Sequence, residues 1–361
     1  MEWVSILKCP ITGSDLRVLE QQEVDALNAK MAAGSLWQTD GKAFTTKMTK
    51  GLIAANGDYI YPIINEIVLL LKDLAVVDSK DKLRKDTISA DKQLVKNFYD
   101  EKGWFADSEG NYEDAVIFED LRDVAKEYIK RCHDRVNRFL NPSGTYMLDA
   151  ASGALQFPDY LQYSANYKYR ICVDFSFQAL LEAKRKLGDK GICVLCDMTN
   201  MPFKDGTIDG FVSLNTIYHI PKDEQLTAVN ELYRVLAPKG KGVIVYEWFK
   251  HSPWMNIGLL PFRGVTFIKN RVNRAFSKVN GSAPKKLLYF HAHPYEYFKK
   301  NLPFDFKLRV WRTVSVPFMK VYIHKPLFGK QILNWLYEKE EKNPEKFGLK
   351  GEYPMMVFEK N

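Results

Sequence analysis

An α/β fold built on a Rossmann-like, doubly wound sheet is what this sequence predicts, and three observations predict it. Residues 145–247 alternate short apolar runs with amphipathic helical segments. The apolar runs carry hydrophobic residues on both faces, as strands of a parallel sheet covered on two sides do. The first run ends in an acid and a glycine-bearing turn, "LDAASGALQ", at residues 148–156.

The elements follow in order. "TYMLDA" reads as a strand and "FPDYLQYS" as helical. "YRICVDF" is a strand, "SFQALLEAKRKLG" a helix and "GICVLCD" a strand. "GTIDGFVSLN" is a strand, "PKDEQLTAVNELYRVL" a helix and "KGVIVYEW" a strand. Ahead of them, residues 94–140 have helical periodicity, with Ile117, Leu121, Val124, Tyr128, Cys132, Val136 and Phe139 at steps of three and four. Asn141-Pro142-Ser143-Gly144 stops that helix. Residues 1–77 read as a small β-rich domain, with short apolar runs between Gly and Asn turns. The charged stretch 78–93 reads as a linker, and 94–361 as the main domain. Within it, residues 250–290 are both apolar and basic and fall between late sheet elements, where a lid or substrate cap is inserted. "FKLRVWRTV", a helix "GKQILNWLYEKEEK" and a strand "YPMMVFEK" close the chain.

Ligands of open α/β sheets bind beyond the carboxyl ends of the strands. Asp149, Asp174 and Asp197 end the first, second and third strands of this sheet. An acid at the end of the second strand suits ribose hydroxyls. A pyrophosphate is disfavoured, because a phosphate cradle wants several glycines and no added negative charge. The pattern suits a ligand with a cationic head, a ribose and an adenine, and S-adenosylmethionine has all three.

The bulk numbers set limits. With 361 residues, 46% hydrophobic and 27% charged, the chain can bury a large core. The longest apolar stretch, "IVLLLKDLAVV", is broken by Lys72 and Asp73 and falls short of the ~20 residues of a membrane span. A soluble cytoplasmic protein is expected. Five scattered cysteines make no disulfide framework, and the Cys193-x-x-Cys196 pair sits in an expected buried strand, as core thiols do. Net charge is +8, yet residues 251–361 hold 20 Lys and Arg against 8 Asp and Glu. Such a basic third invites nucleic acid, an anionic membrane or an acidic substrate, or is a solvated face.

Four motifs in register carry a family resemblance: "MLDAASG", "CVDFS", "CDMTNMPFKDGTIDGFVSLNTIYHI" and "ELYRVLAPKGKGVIVYE". Together they resemble the class I S-adenosylmethionine-dependent methyltransferases over residues 94–247. The PF-x-DGTID and RVLAPKG stretches resemble the ubiquinone/menaquinone branch. The family's first loop carries three alternate glycines. Here Ala151 and Leu155 stand at the first and third of those positions, and only Gly153 is kept. Leu155 and Gln156 could narrow the pocket, which leaves an inactive, donor-binding pseudo-enzyme open.

The resemblance implies roles for these residues. Asp149 would face the methionine ammonium, and Ala151 and Gly153 would let the backbone approach the ligand. Asp174 would take the ribose hydroxyls and Phe175 would pack on the adenine. Asp197 would accept from the adenine amino group, beside Met198, and Asn215 would lie near the methionine moiety. The competing reading for each acid is a helix cap at a strand end.

The donor's methyl group is already activated, so positioning supplies much of the rate and a base is needed only if the acceptor loses a proton. His219, after the fourth strand, is the candidate base, with Tyr218 beside it. His291 and His293 are candidates for a polar wall of the site; as a metal pair they lack further ligands at suitable spacing. Tyr99 sits on the leading helix, which in related methyltransferases folds over the donor and acceptor. Glu247 closes the fifth strand and could fix an amine or hydroxyl. His133 and His324 read as structural, the latter in a late strand.

"LKCPITGSDLRVL" and "GDYIYPIINEIVLLL" resemble the zinc-ribbon-like domain of the tRNA-methyltransferase activator family. Cys9 is kept, but Thr12 occupies the second ligand position and no second pair follows, so a metal-free module is expected. The expected activity is methyl transfer to a small acceptor that is aromatic, lipophilic or anionic, with S-adenosylhomocysteine as the donor's product. An RNA methyltransferase and a non-catalytic donor-binding protein remain alternatives. Trp254, Leu259, Leu260, Phe262 and Phe267 mark a possible contact with an anionic membrane.

Overall fold

A computed structural model describes residues 1–84, 119–248, 252–264, 267, 271 and 289–361. Its centre is a 13-stranded sheet. The N-terminal strands are β1 (Leu16–Val18), β2 (Trp37–Gln38), β3 (Lys50–Ala54), β4 (Ile60–Ile64), β5 (Ile67–Leu69) and β6 (Val76–Val77). Then come β7 (Gly144–Ala150), β8 (Tyr167–Asp174), β9 (Gly191–Leu195), β10 (Ile208–Leu214) and β11 (Leu236–Val245). The last are β12 (Lys307–Arg312) and β13 (Tyr353–Glu359). The order across the sheet is β1-β3-β4-β5-β9-β8-β7-β10-β11-β13-β12.

Strands β9, β8, β7, β10 and β11 are mutually parallel, and β13 runs antiparallel between β11 and β12. This is the class I methyltransferase fold. The chain reverses its direction of travel through the sheet between β7 and β10, which opens a crevice at their carboxyl ends. The expected α/β sheet is observed, and the late hairpin extends it.

The N-terminal strands do not stand apart from this sheet. β5 pairs in parallel with β9, Ile67 opposite Cys193 and Leu69 opposite Leu195. A two-residue turn, Asn65-Glu66, with φ of 49° and 64°, folds β4 onto β5, as hairpins with both turn residues at positive φ do. Cys9 is buried, with its Sγ 3.1 Å from the Tyr61 hydroxyl and accepting from the Thr12 N–H. The module also carries a 12-residue helix, Gln21–Ala32, that its short apolar runs did not announce; a capping box between Glu20 and Glu23 starts it.

Helices cover the sheet where their apolar stripes dictate. Asp123–Arg135 buries Ala125, Tyr128, Ile129 and Cys132, which recur at three and four residues. It begins later than its periodicity implied, so Leu121 precedes it and is exposed. Ile117 lies outside the described residues. Ser176 caps Phe177–Leu187 by accepting from the Ala179 N–H. His324 corrects an expectation: it sits between the helix Val316–Tyr322 and the turn Lys325–Leu327, not in a strand.

Residues 250–290, expected as a lid, lie between β11 and β12. Their described part includes a helix, Pro253–Gly258, anchored by the Ser315 N–H donating to the sulfur of Met255. Leu259 is buried, against its expectation as an exposed membrane contact, because that helix turns it inward.

Candidate active site

The crevice beyond β7 and β10 holds one continuous cavity. Its first half is the loop that follows β7. Ala151, Gly153 and Leu155 have φ of 56°, 55° and 51°. These alternate positions are the ones that the family pattern fills with glycine. The backbone therefore keeps a glycine-loop shape although two glycines are gone. A non-glycine residue in this region costs about 1–2 kcal/mol, so neighbours must hold the loop. The Ser152 N–H donates to Val173 O at 3.1 Å. Lys186 Nζ donates to Ala154 O (2.8 Å) and Leu155 O (2.9 Å), and burial pulls its pKa down to about 8. Leu155 packs its side chain into the core with Leu180 and Leu195 and does not fill the cavity.

Asp174 is the second fastening. The Gly153 N–H donates to its Oδ2 at 2.9 Å, and the Ser176 N–H to its Oδ1 at 2.8 Å. The carboxylate thus braces the loop and the head of the next helix, while also lining the cavity. Asp197 accepts from the Thr199 N–H and hydroxyl, both at 2.8 Å, and lines the cavity beside Phe175 and Met198. Asn215 adopts φ 58°, tolerable for Asn, and its buried Oδ1 has no hydrogen-bond partner. That acceptor lines the cavity and suits an ammonium donor.

Asp149 is placed differently from the simple expectation. It lines the cavity, but the buried guanidinium of Arg170 pairs with its Oδ2. Arg170 was missed in the sequence, although an arginine inside the apolar run "YRICVDF" was a signal. It balances the charge of the first acid, so the donor end is not a bare cluster of carboxylates.

The second half of the cavity is aromatic and polar. Phe157, Tyr160, Tyr218 and Phe290 line it, with Gln156, His219, Glu247, Glu119, Arg312 and Tyr353. His219 Nδ1 lies 2.8 Å from Tyr289 O, which can only accept, so the neutral ring carries its proton on Nδ1 and keeps a lone pair on Nε2. Burial pushes the His219 pKa down to about 4. Burial pushes Glu247 up to about 7, against the pull of Arg312. Arg312 is itself buried, pairs with Glu119 through Nη1, and leaves Nε without a partner. Burial would raise the Glu119 pKa, but Arg312 and His133 outweigh it and hold it at about 2. Behind Glu119, His133 bridges to Asp159 at 3.3 Å. None of Glu119, Arg312 or Tyr353 was singled out in the sequence. They come from distant segments, and no local spacing reveals their meeting.

His291 and His293 do not line the cavity. The His291 N–H donates to Tyr218 O and the His293 N–H donates to the Tyr246 hydroxyl oxygen, at 2.8 and 2.9 Å. The His293 ring stacks on Tyr297 with centroids 3.7 Å apart. They pin the chain that carries Phe290. Among the described residues, no three His, Cys, Asp or Glu side chains converge to hold a metal ion. Tyr99 lies outside the described residues.

Comparison with known proteins agrees with this architecture. Residues 148–244 match the family model described as "Methyltransferase domain". "Probable tRNA methyltransferase 9B" of Mus musculus is 36% identical over 70 residues, 19% of this chain and 15% of that protein. An uncharacterized protein of Methanocaldococcus jannaschii is 28% identical over 158 residues, 42% of this chain and 60% of that protein. The chain therefore covers 15% and 60% of these two relatives' own lengths. Among solved structures, geranyl diphosphate C-methyltransferase from Streptomyces coelicolor A3(2) aligns with a TM-score of 0.45 and 11% identity, over 76% of this chain and all of that one. Residues 148–244 thus match a methyltransferase domain, and they lie within the Rossmann-like sheet described above.

Proposed function

We propose that this protein transfers the methyl group of S-adenosylmethionine to a small acceptor carrying an apolar or aromatic body and one polar reacting group. The observation that carries this reading is the continuity of the cavity. A donor half built on Ala151, Gly153, Asp174, Asp197 and Asn215 runs into an acceptor half walled by Phe157, Tyr160, Tyr218 and Phe290. Asp174 and Asp197 would hold the ribose and adenine, and Asn215 and Asp149 the methionine end. When bound, S-adenosylmethionine supplies a methyl group already activated on a sulfonium.

The chain's own residues do the rest. The aromatic wall excludes water and orients the acceptor for in-line attack. Glu247, near neutrality at physiological pH, takes the proton that an amine or hydroxyl acceptor must lose. His219 is too weak a base at about 4 and serves as a neutral acceptor of a hydrogen bond from the substrate. Arg312, with a free Nε, steadies negative charge on the acceptor or on Glu247.

A second reading, an RNA methyltransferase, is favoured by the basic C-terminal third. An acceptor screen with labelled donor, run beside a salt titration of RNA binding, separates the two. Methylation of small lipophilic amines or phenols supports the first reading. Methylated RNA with a steep salt slope supports the second. Donor binding without turnover on any acceptor would favour the pseudo-enzyme.

A further inference from the structure

Of the twelve large apolar side chains exposed among the described residues, nine fall in two segments. Ile257, Leu260, Phe262 and Phe267 belong to the first, following β11. Tyr322, Leu327, Phe328, Ile332 and Trp335 belong to the second, following β12. Scattered exposed apolar residues need no explanation, but this concentration does.

The two segments meet. The Tyr322 hydroxyl donates to Gly258 O at 2.6 Å, and a side-chain atom of Phe318 lies 3.3 Å from where a Cβ of Gly258 would be. In the second segment Phe328, Ile332 and Trp335 are spaced by four and three, along one face of the helix Gly329–Lys342. Leu333, Tyr337 and Glu340 on the other face are buried against the protein. Phe328 is 70% exposed and has φ 54°. A bulky residue in that backbone region costs stability and gains nothing back from contacts here.

The two segments are basic in sequence, and among the described residues the acid beside the patch is Glu127, which pairs with Lys330 at 2.8 Å. From Trp248 to Tyr295 the sequence has eight Lys and Arg and no Asp or Glu. From Phe306 to Tyr337 it has six Lys and Arg and again no acid. Lys320, Lys325 and Lys330 flank the exposed apolar residues and are exposed themselves. The Lys339 ammonium lies over the Trp335 ring at 5.6 Å, and the Arg271 guanidinium over Phe267 at 5.6 Å.

From this geometry we infer that the face formed by Ile257, Leu260, Phe262 and Phe267 with Tyr322–Trp335 docks on an anionic lipid bilayer surface. The aromatic and aliphatic tips enter the headgroup boundary, and the lysines and arginines meet the acidic headgroups. A protein partner would need its own acidic face to match the fringe; a bilayer supplies charge and apolar depth together. The inference does not rest on methyl transfer, and its test is independent of it.

The test is co-sedimentation of the full chain with vesicles of phosphatidylcholine alone and of phosphatidylcholine mixed with phosphatidylglycerol, at low and high salt. Binding to the mixed vesicles is expected to be roughly tenfold tighter or more, and to weaken with salt. The double variant Phe328→Ser/Trp335→Ser should lose at least about tenfold of it, as apolar burial in the boundary is removed. Lys325→Glu/Lys330→Glu should bind neutral vesicles unchanged and mixed vesicles more weakly. Circular dichroism and thermal midpoints check that both variants fold; if either fails, Phe328→Tyr and Lys325→Gln replace them. Absence of wild-type binding to mixed vesicles overturns the inference, as does equal binding by the double variant. Self-association of the wild type, abolished in that variant, would assign the face to a second copy and also overturn it.

Discussion

Gly153 and Asp174 are joined across the mouth of the crevice: the glycine N–H donates to the aspartate at 2.9 Å, and the same carboxylate takes the Ser176 N–H at 2.8 Å. One side chain at the end of β8 therefore fixes the loop after β7 and the start of the following helix. This carboxylate both braces the local fold and lines the cavity, so a capping role does not remove it from the proposed donor site.

The loop stores strain at Ala151, at φ 56°. Ala151→Gly should raise stability by about 0.5–1 kcal/mol, since glycine adopts this conformation freely. Ala151→Val should lower it by about 1–3 kcal/mol. Leu155→Gly should destabilise despite the same backbone relief, because Leu155 is 1% exposed and its burial is lost. Denaturant unfolding of the three variants checks the order.

The proposed role of Glu247 as the base sets an expected pH profile. With its pKa at about 7, kcat should rise with pH through that value and level above it. Glu247→Gln should lower kcat by about 10²–10⁴ and flatten the profile, while donor affinity stays within about twofold. His219→Gln should change KM more than kcat, since a neutral hydrogen-bonding side chain is kept. Steady-state kinetics across pH 6–9, on the acceptor found in the screen, decides between the two residues.

The buried pair of Glu119 and Arg312 supports the cavity from below. Arg312→Met should destabilise by about 3–5 kcal/mol, because it leaves a buried carboxylate uncompensated. Glu119→Gln/Arg312→Met together should recover much of that loss. The Glu119 pKa is depressed to about 2 from an ordinary 4.5, so the stability it contributes is fully present above about 4.5 and is lost as pH falls toward 2. Urea midpoints of the single and double variants between pH 2 and 6 test this.

Glu352 works in the opposite sense. Burial, with the charge of Glu247, raises its pKa to about 8. The unfolded chain releases this proton near 4.5 and the folded chain near 8. Stability therefore falls as pH rises through that window. Glu352→Gln should reduce the slope, leaving the part due to Glu247, and stabilise the protein at pH 8 by on the order of 1–3 kcal/mol. Thermal midpoints at pH 5 and pH 8 measure it.

Much of the sheet was legible because buried parallel strands announce themselves locally. "YRICVDF" and "GICVLCD" are apolar on both faces, and Ser176 sits where a helix cap belongs. The donor loop was legible from its acids and from Gly153. Its conformation was not: that Ala151 and Leu155 would hold φ values suited to glycine depends on Lys186, Val173 and Asp174, which reach the loop from other elements. The meeting of Glu119 and Arg312 at the cavity was illegible for the same reason, since they are 193 positions apart. The union of β5 with β9 was hidden too, because "EIVLLL" reads equally as the last strand of a separate module or as one more strand of the main sheet.

The measurement that bears most directly on the central claim is calorimetric binding of S-adenosylmethionine and S-adenosylhomocysteine to the wild type and to Asp174→Ala. Micromolar binding of both ligands is expected for the wild type, with a loss of at least about tenfold in the variant, from the charge-assisted hydrogen bonds removed. Asp174→Asn, which can still accept the Gly153 N–H, should fall between them. No binding of either ligand by the folded wild type, or equal binding by Asp174→Ala, would contradict it.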